Sequence, residues 1–470
     1  MARHSNDDTS RRGVLRSMLG GSMLLPGLMS QLLAEETSGN ADDPLAPKAT
    51  HFPAKAKRII LLYMSGGVSH VDSWDPKPQL FADAGKTIPV NEFQGRKGDF
   101  NMYLKRPQWD FKPHGQCGTE VSSLFPHMAE CVDDLCVIRS MKSDHTNHYE
   151  ATLGIHTGSF TFARPSIGSW LSYGLGTFNR NLPSFIVIAP HSPYAGGQVW
   201  GSDFLPGAHQ GTLVVPGPEP VANIQRRSPG SRLQEMELAA MAKMNARHLH
   251  ARPDDPLLTA RIKSFETAFG MQAEMPEVFD LSKEDDATLE MYGLPRGSTS
   301  GFGWQCLVAR RLAERGVRCV ELIDVGSSSN WDAHGDMLTH APLAKNVDQP
   351  VAALLKDLKQ RGMLDETLVV WTTEFGRTPF NAAPNAAGRE HHHWVFSSWL
   401  AGGGVKPGIT YGESDPYGID VAEDVVHVHD FHATILHLMG IDHERLTWRH
   451  TGRDYRLTDV AGRVVRDILS

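Results

Sequence analysis

The chain of 470 residues is long enough for one large α/β domain or two ordinary ones. Its 40% hydrophobic and 21% charged residues mark a globular protein rather than a disordered one. A formal charge of -8 argues against a nucleic-acid partner. Five cysteines (Cys117, Cys131, Cys136, Cys306, Cys319) leave at least one unpaired and form no Cys-x-x-Cys pair, which excludes a disulfide scaffold.

Residues 1–34 read as an export signal. Arg11 and Arg12 stand side by side ahead of a modest apolar stretch, Met18 to Leu33, which marks the twin-arginine route and its export machinery as partner. That stretch contains Gly20, Gly21, Pro26 and Gly27 and is short, so no stable membrane span is expected after cleavage near Ala34. A periplasmic or otherwise exported location follows. This route carries folded proteins, often with a metal already inserted. Residues 35–56, rich in small residues and proline, read as a linker, and residues 57–470 as a single domain.

Arg58 to Met64 is a continuous apolar run broken by Gly66 and Gly67, which suits a strand buried on both faces of a parallel sheet. Similar runs recur at Leu135–Ile138, Phe185–Ala189, Val317–Ile323 and Thr367–Thr373. Between Ser228 and Gly301 the pattern changes. Leu233–Leu249 and Leu257–Ala273 are amphipathic and Glu277–Tyr292 is acidic and partly helical, which predicts a helical insertion. Trp304–Arg315 and Pro350–Arg361 read as helices closed by Gly316 and Gly362, each followed by a strand run. The expected fold is a doubly wound, mostly parallel α/β sheet with helices on both faces.

Ligands in such sheets bind beyond the carboxyl ends of the strands. Polar clusters follow three of the runs: His70, Asp72 and Asp75 after the first, Asp332, His334 and Asp336 after Val317–Ile323, and Glu374 and Arg377 after Thr367–Thr373. Arg389, Glu390, His391, His392 and His393 come close behind. Carboxylates and imidazoles delivered to one rim suit zinc, manganese or iron. Arg377 is placed to bind an anionic oxygen bidentately or to pair with Glu374, and Arg389 is open to the same two readings. Trp304, Trp331 and Trp394 offer either a sugar-stacking wall or core packing. Of His427, His429, His432 and His437, His429 is the one expected to reach the rim. No Gly-x-Ser-x-Gly elbow precedes a helix, which argues against a serine esterase built on Ser69 or Ser143.

The order of these segments resembles the alkaline-phosphatase superfamily. The late run from Val428 through Asp430, Thr434 and Leu436 to Gly440-Ile441 is similar to that superfamily's late helix. Across nearly the whole chain, GGVSHVDSWDPKP, HTNHYEATLGIHTG, RPSIGSWLSYGLG, NWDAHGD, TEFGRTP, GREHHHW and RLTDVAGRVV resemble an exported, sulfatase-like family whose members are largely uncharacterised. The resemblance implies an alkaline-phosphatase/sulfatase-like fold and a divalent metal (zinc, manganese or calcium) held by Asp72 (or Asp75), Asp332, His334, Glu374 and His391. Two departures stand out. The superfamily has Asp-x-x-x-His where this chain has Asp332-x-His334, and Asp-His where this chain has Glu374-Phe375, so one imidazole ligand is missing. Ala163-Arg164-Pro165-Ser166-Ile167 lacks the Cys or Ser that would become formylglycine. Thr146 and Asn147 resemble a phosphodiesterase Thr-x-x-Asn-His-Tyr segment, with the threonine adjacent to the asparagine instead of three residues before it. They are either nucleophile and oxyanion holder or a helix cap. The implied function is an exported metal-dependent hydrolase of phosphate or sulfate esters, carbohydrate-linked esters included, acting without formylglycine. The alternative is a non-catalytic binding or assembly protein with a degenerate metal site.

Overall fold

The computed structural model describes residues 43–225, 231–252 and 256–470. The export-signal reading of residues 1–34 and the first part of the expected linker lie outside those residues.

A nine-stranded sheet forms the centre. Its strands are β1 (Arg58–Tyr63), β2 (Leu135–Lys142), β3 (Phe185–Ile188), β4 (Thr212–Val214), β5 (Cys319–Ile323), β6 (Thr367–Thr372), β7 (Phe396–Ala401), β8 (Ile409–Tyr411) and β9 (Val426–His427). The order is β8-β2-β7-β6-β1-β5-β3-β4, with β9 also paired to β2. Only β7 runs against the others within this sheet, pairing antiparallel with both β6 and β2. The fold is the expected mixed α/β one.

Alternation along β1 shows why its apolar run is continuous. Ile60 and Leu62 enter one core with Trp304, Leu307 and Leu354. Ile59, Leu61 and Tyr63 enter the opposite core with Trp170, Leu171 and Ile435. Both faces of the strand are therefore dry, the condition that removes polar alternation from the sequence.

The helices that position the site are α1 (His148–Thr157), on the chain that leaves β2, and α2 (Ile167–Leu175). The expected insertion is helical: α3 (Ser231–His250), α4 (Pro256–Phe279) and the short α5 (Asp286–Met291). α6 (Phe302–Glu314) precedes β5 as expected. α7 spans His340–Gln360, a longer helix than the one read from Pro350, because Ala344, Val347, Val351, Leu354 and Leu358 form one buried stripe that carries the helix through the proline. α8 (Val428–Leu438) opens with His427 as N-cap.

Residues 43–56 do not hang free as a linker. Leu45 is buried, and the segment bonds through Lys48 N to Leu175 O (3.1 Å), His51 N to Gly440 O (2.9 Å) and Ala56 N to Leu438 O (2.9 Å).

Candidate metal centre

Four stretches of chain meet at the rim where β1, β5 and β6 end. The direction of β7 explains one of them. An antiparallel strand starts where its parallel neighbours finish, so the residues leading into β7, from Arg389 to Val395, lie along this rim. β2 runs parallel to β6, so the chain leaving it at Lys142 delivers Thr146, Asn147 and His148 to the same place.

Asp332 is the focus of the cluster. His148 Nε2 lies 3.3 Å from its Oδ2, while His391 Nε2 lies 3.2 Å and His334 Nε2 3.0 Å from its Oδ1. His148, Asp332 and His391 present ligand atoms all within 4.8 Å of one another, the one such group among the described residues. His334 Nε2 is 2.8 Å from His391 Nε2.

The other ring nitrogen of each histidine is already engaged. His148 Nδ1 donates to Glu374 Oε1 (2.7 Å), His334 Nδ1 to Glu390 Oε2 (2.7 Å), and His391 Nδ1 to the Thr146 carbonyl (2.6 Å). Acceptors at all three Nδ1 positions fix the tautomer that leaves Nε2 with a lone pair. Three lone pairs then converge on a carboxylate, an arrangement that calls for a cation or an extra proton between them. Carboxylates and carbonyls behind ligand histidines are the usual outer shell of a metal site. Bonds of about 2.0–2.1 Å in a tetrahedral zinc site put neighbouring ligand atoms about 3.3 Å apart, close to the spacings here.

The ionisation behaviour follows from these contacts. His334 is pushed up to about 9 by its bonds to Asp332 and Glu390. Burial works against a charged His148, yet Asp332 and Glu374 outweigh it and its pKa rises. Burial dominates at His391 and lowers its pKa. Asp332 is buried enough to be pushed upward, but the three histidines and Arg377 hold it far below the carboxylate range.

The sequence of residues 56–469 matches the model of a family described as a protein of unknown function, DUF1501. The chain belongs to that family. No curated protein matches the sequence. Among solved structures, the chain is similar to the lipoteichoic acid synthase LtaP from Listeria monocytogenes at 10% identity and a TM-score of 0.37, covering 88% of this chain and 79% of that one. It is similar to the alkaline phosphatase from the Antarctic bacterium TAB5 at 11% identity and a TM-score of 0.32, over 82% and 98%. The PsFucS1 sulfatase from Pseudoalteromonas sp. aligns at 12% identity and a TM-score of 0.34, over 83% and 68%.

The site of this DUF1501 member differs from the set read in the sequence. Asp332, His334 and His391 come together, and a further imidazole, His148 from the first turn of α1, joins them. Glu374 lies one layer behind. Buried completely, it accepts from His148 Nδ1, Gly66 N (2.9 Å), Tyr63 OH (2.9 Å) and Thr373 Oγ1 (3.1 Å), so its oxygens face protein donors. Asp72 is elsewhere: it accepts from Arg389 Nε (2.8 Å), Gln108 N (2.7 Å) and Ser69 Oγ (2.5 Å). Asp75 pairs with Lys77 (3.0 Å) and accepts from Ser414.

The catalytic assignments shift as well. Arg377 is fully buried, and its nitrogens donate to Gly67 O (2.9 Å), Gly66 O, Arg389 O (3.4 Å) and Asp332 Oδ1 (2.7 Å). It positions Asp332 and has no nitrogen free for a ligand anion, nor does it pair with Glu374. Asn147 is the N-cap of α1, its Oδ1 accepting from Tyr149 N (3.0 Å). Thr146 contributes its carbonyl to His391, and its hydroxyl lies beside Gly95. Trp304 and Trp331 are core residues, and His429 bonds Gly158 O (2.8 Å) rather than reaching the cluster.

Gly66 sets how closely the β1 loop meets the β5 loop. At φ +113° a Cβ there would stand 2.7 Å from the backbone nitrogens of Trp331 and Asp332. Nothing larger than hydrogen fits beneath Asp332.

Proposed function

We propose that this protein is an exported, metal-dependent hydrolase of phosphate or sulfate esters that works without formylglycine. One observation carries the reading: three imidazoles, each with Nδ1 satisfied, direct Nε2 at a single carboxylate on the carboxyl rim of a parallel sheet. His148, Asp332 and His391 would hold a divalent ion, zinc before manganese or calcium given two or more imidazoles, with His334 as a fourth, more exposed ligand. Such an ion, when bound, polarises an ester oxygen and lowers the pKa of water.

The chain's own residues orient and hold protons around it. Glu374, Glu390 and the Thr146 carbonyl keep the three rings in one tautomer, and Arg377 fixes Asp332 from below. The Thr146 hydroxyl, one residue from the α1 N-cap, is the side-chain nucleophile if the reaction runs through a covalent ester; otherwise water attacks. Formylglycine chemistry is disfavoured because Ala163-Arg164-Pro165-Ser166-Ile167, the nearest match to that motif, carries Ala163 where the converted Cys or Ser would stand. Export by the twin-arginine machinery to the periplasm rests on Arg11 and Arg12 ahead of the apolar stretch. Among the described residues no helix is long and apolar enough to cross a membrane.

The full commitment of Arg377 and Asn147 to protein partners favours one competitor, a binding or assembly protein with a metal-clamped loop. A screen of aryl phosphate, phosphodiester and sulfate esters with the metal-loaded protein separates them. Turnover lost in His148→Ala and His391→Ala supports the hydrolase. Stoichiometric metal without turnover on any ester supports the binding protein.

A further inference from the structure

The hairpin of Thr87–Phe93 and Arg96–Leu104 overhangs the metal cluster. Its tip reaches the site: Gln94 bonds Glu390, the partner of His334, and Gly95 abuts the Thr146 hydroxyl. Its stem walls a cleft of about 490 Å³. The strand His391–His392 divides the two regions. His391 faces Asp332, and His392 lines the cleft.

The lining is two-sided in chemistry. Trp394, Phe380 and Ile419 supply an apolar base, while Asn91, Glu92 and Asp420 place an amide and two carboxylates at the edge. Trp394 is half-buried and held from behind. Lys142 Nζ sits 4.4 Å over its ring and is itself fixed by Asp420 at 3.2 Å, and the His393 ring lies 4.6 Å away. An aromatic plane set in place before binding loses little entropy when a ligand covers it.

We propose that this cleft binds an uncharged run of sugar residues and so directs the esterified end of a glycan to the metal cluster. The apolar face of a pyranose ring stacks on an indole, and its hydroxyls donate to carboxylate and amide oxygens, the pairing this lining offers. The volume lies within the range of about 300–1,000 Å³ usual for small-ligand clefts. Asp420 is paired with Lys142 and Glu92 stands opposite Lys97, so the cleft offers no excess positive charge to a sulfate or phosphate; the charged group belongs at the cluster and a neutral segment in the cleft. The inference rests on the ester-hydrolase reading only for what the glycan carries, since sugar binding needs no turnover.

The test is calorimetric titration of the full chain with neutral trisaccharides (maltotriose, cellotriose, xylotriose and β-1,4-galactotriose). At least one is expected to bind, with Trp394→Ala weakening it by about tenfold or more, the loss that follows from truncating a stacked aromatic anchor. The exposed Asn91→Ala, which leaves the core untouched, is expected to weaken it about threefold, near the worth of one neutral hydrogen bond. His391→Ala is expected to bind within about twofold of the parent. The proposal falls if no trisaccharide binds at about 10 mM, a level that would reveal even affinities near 4 kcal/mol. It falls equally if Trp394→Ala, folded by near-UV circular dichroism, binds as the parent does. Binding by a parent that neither holds metal nor takes up zinc on titration would keep the cleft and overturn the metal-dependent hydrolase reading alone.

Discussion

Replacing Glu374 with glutamine keeps the volume of a fully buried side chain and changes two properties, its charge and one acceptor. Both oxygens of Glu374 accept: one from His148 Nδ1 and Gly66 N, the other from Gly66 N, Tyr63 OH and Thr373 Oγ1. A glutamine must turn its NH2 toward one of these sets. If it faces His148, the ring can be satisfied only by accepting at Nδ1, which moves its proton to Nε2 and aims a donor at Asp332 where a lone pair is needed. If it faces Gly66 and Tyr63, its NH2 abuts the Gly66 N–H, and the Tyr63 and Thr373 hydroxyls must turn their protons to Thr152 and Met64 O and accept from it, losing their bonds to a carboxylate at a cost of about 1–3 kcal/mol. Outer-shell partners of metal ligands are worth about 10–100-fold in affinity. We therefore expect Glu374→Gln to weaken zinc by that factor in a competition titration with a chromophoric chelator. Urea unfolding of the zinc-free proteins should show a separate loss of about 1–3 kcal/mol. Zinc affinity within about twofold of the parent in a folded variant would refute the tautomer argument, since it would mean His148 does not depend on its carboxylate.

Asp72→Asn should leave metal content unchanged and destabilise the fold by about 3–5 kcal/mol, because Arg389 is then buried without its counter-charge; loss of metal without loss of stability would restore Asp72 as a ligand. Gly66→Ala should lower both metal content and Tm, since its Cβ collides with the backbone that presents Asp332; normal metal binding would contradict that reading of the loop. Stability should fall as pH drops below about 6.5. Burial lowers His70 to about 4 and His209 and His432 to about 3, so unfolding lets each take up a proton that the folded chain refuses. Each contributes up to about 1.4 kcal/mol per pH unit down to its folded value. Asp324, raised to about 7 by burial, acts in the opposite sense between about 4 and 7, against these three histidines and the likewise lowered His340, His392 and His393. A urea midpoint that does not move between pH 7 and pH 5 would refute this balance.

The central strands were legible because burial on both faces erases polar alternation, and β1, β5 and β6 end within two residues of the apolar runs that announced them. Asp332, His334 and His391 were legible because strand ends lead to the rim. What sequence could not supply was pairing between remote residues. Asp72 follows β1 as a metal-binding aspartate would, yet Arg389, 317 positions away, neutralises it. Arg377 looked like an anion binder because nothing local shows that its nitrogens are spent on Gly66, Gly67 and Asp332. His148 had a usable signal. It follows the run that begins at Leu135, and that strand continues through polar Arg139 and Ser140 to Lys142, parallel to the others. Reading the run as ended at Ile138 separated His148 from the rim. The apparent shortage of imidazole after Glu374 was the second clue, since a carboxylate buried there needs a donor.

The most direct test of the central claim is elemental analysis of the purified full chain beside His148→Ala and His391→Ala. The account predicts about one zinc, manganese or calcium per chain in the parent, as three or four convergent ligands imply, and its loss from both variants while their folds survive. A well-folded parent without metal, unable to take up zinc on titration, would contradict the metal centre and the hydrolase built on it.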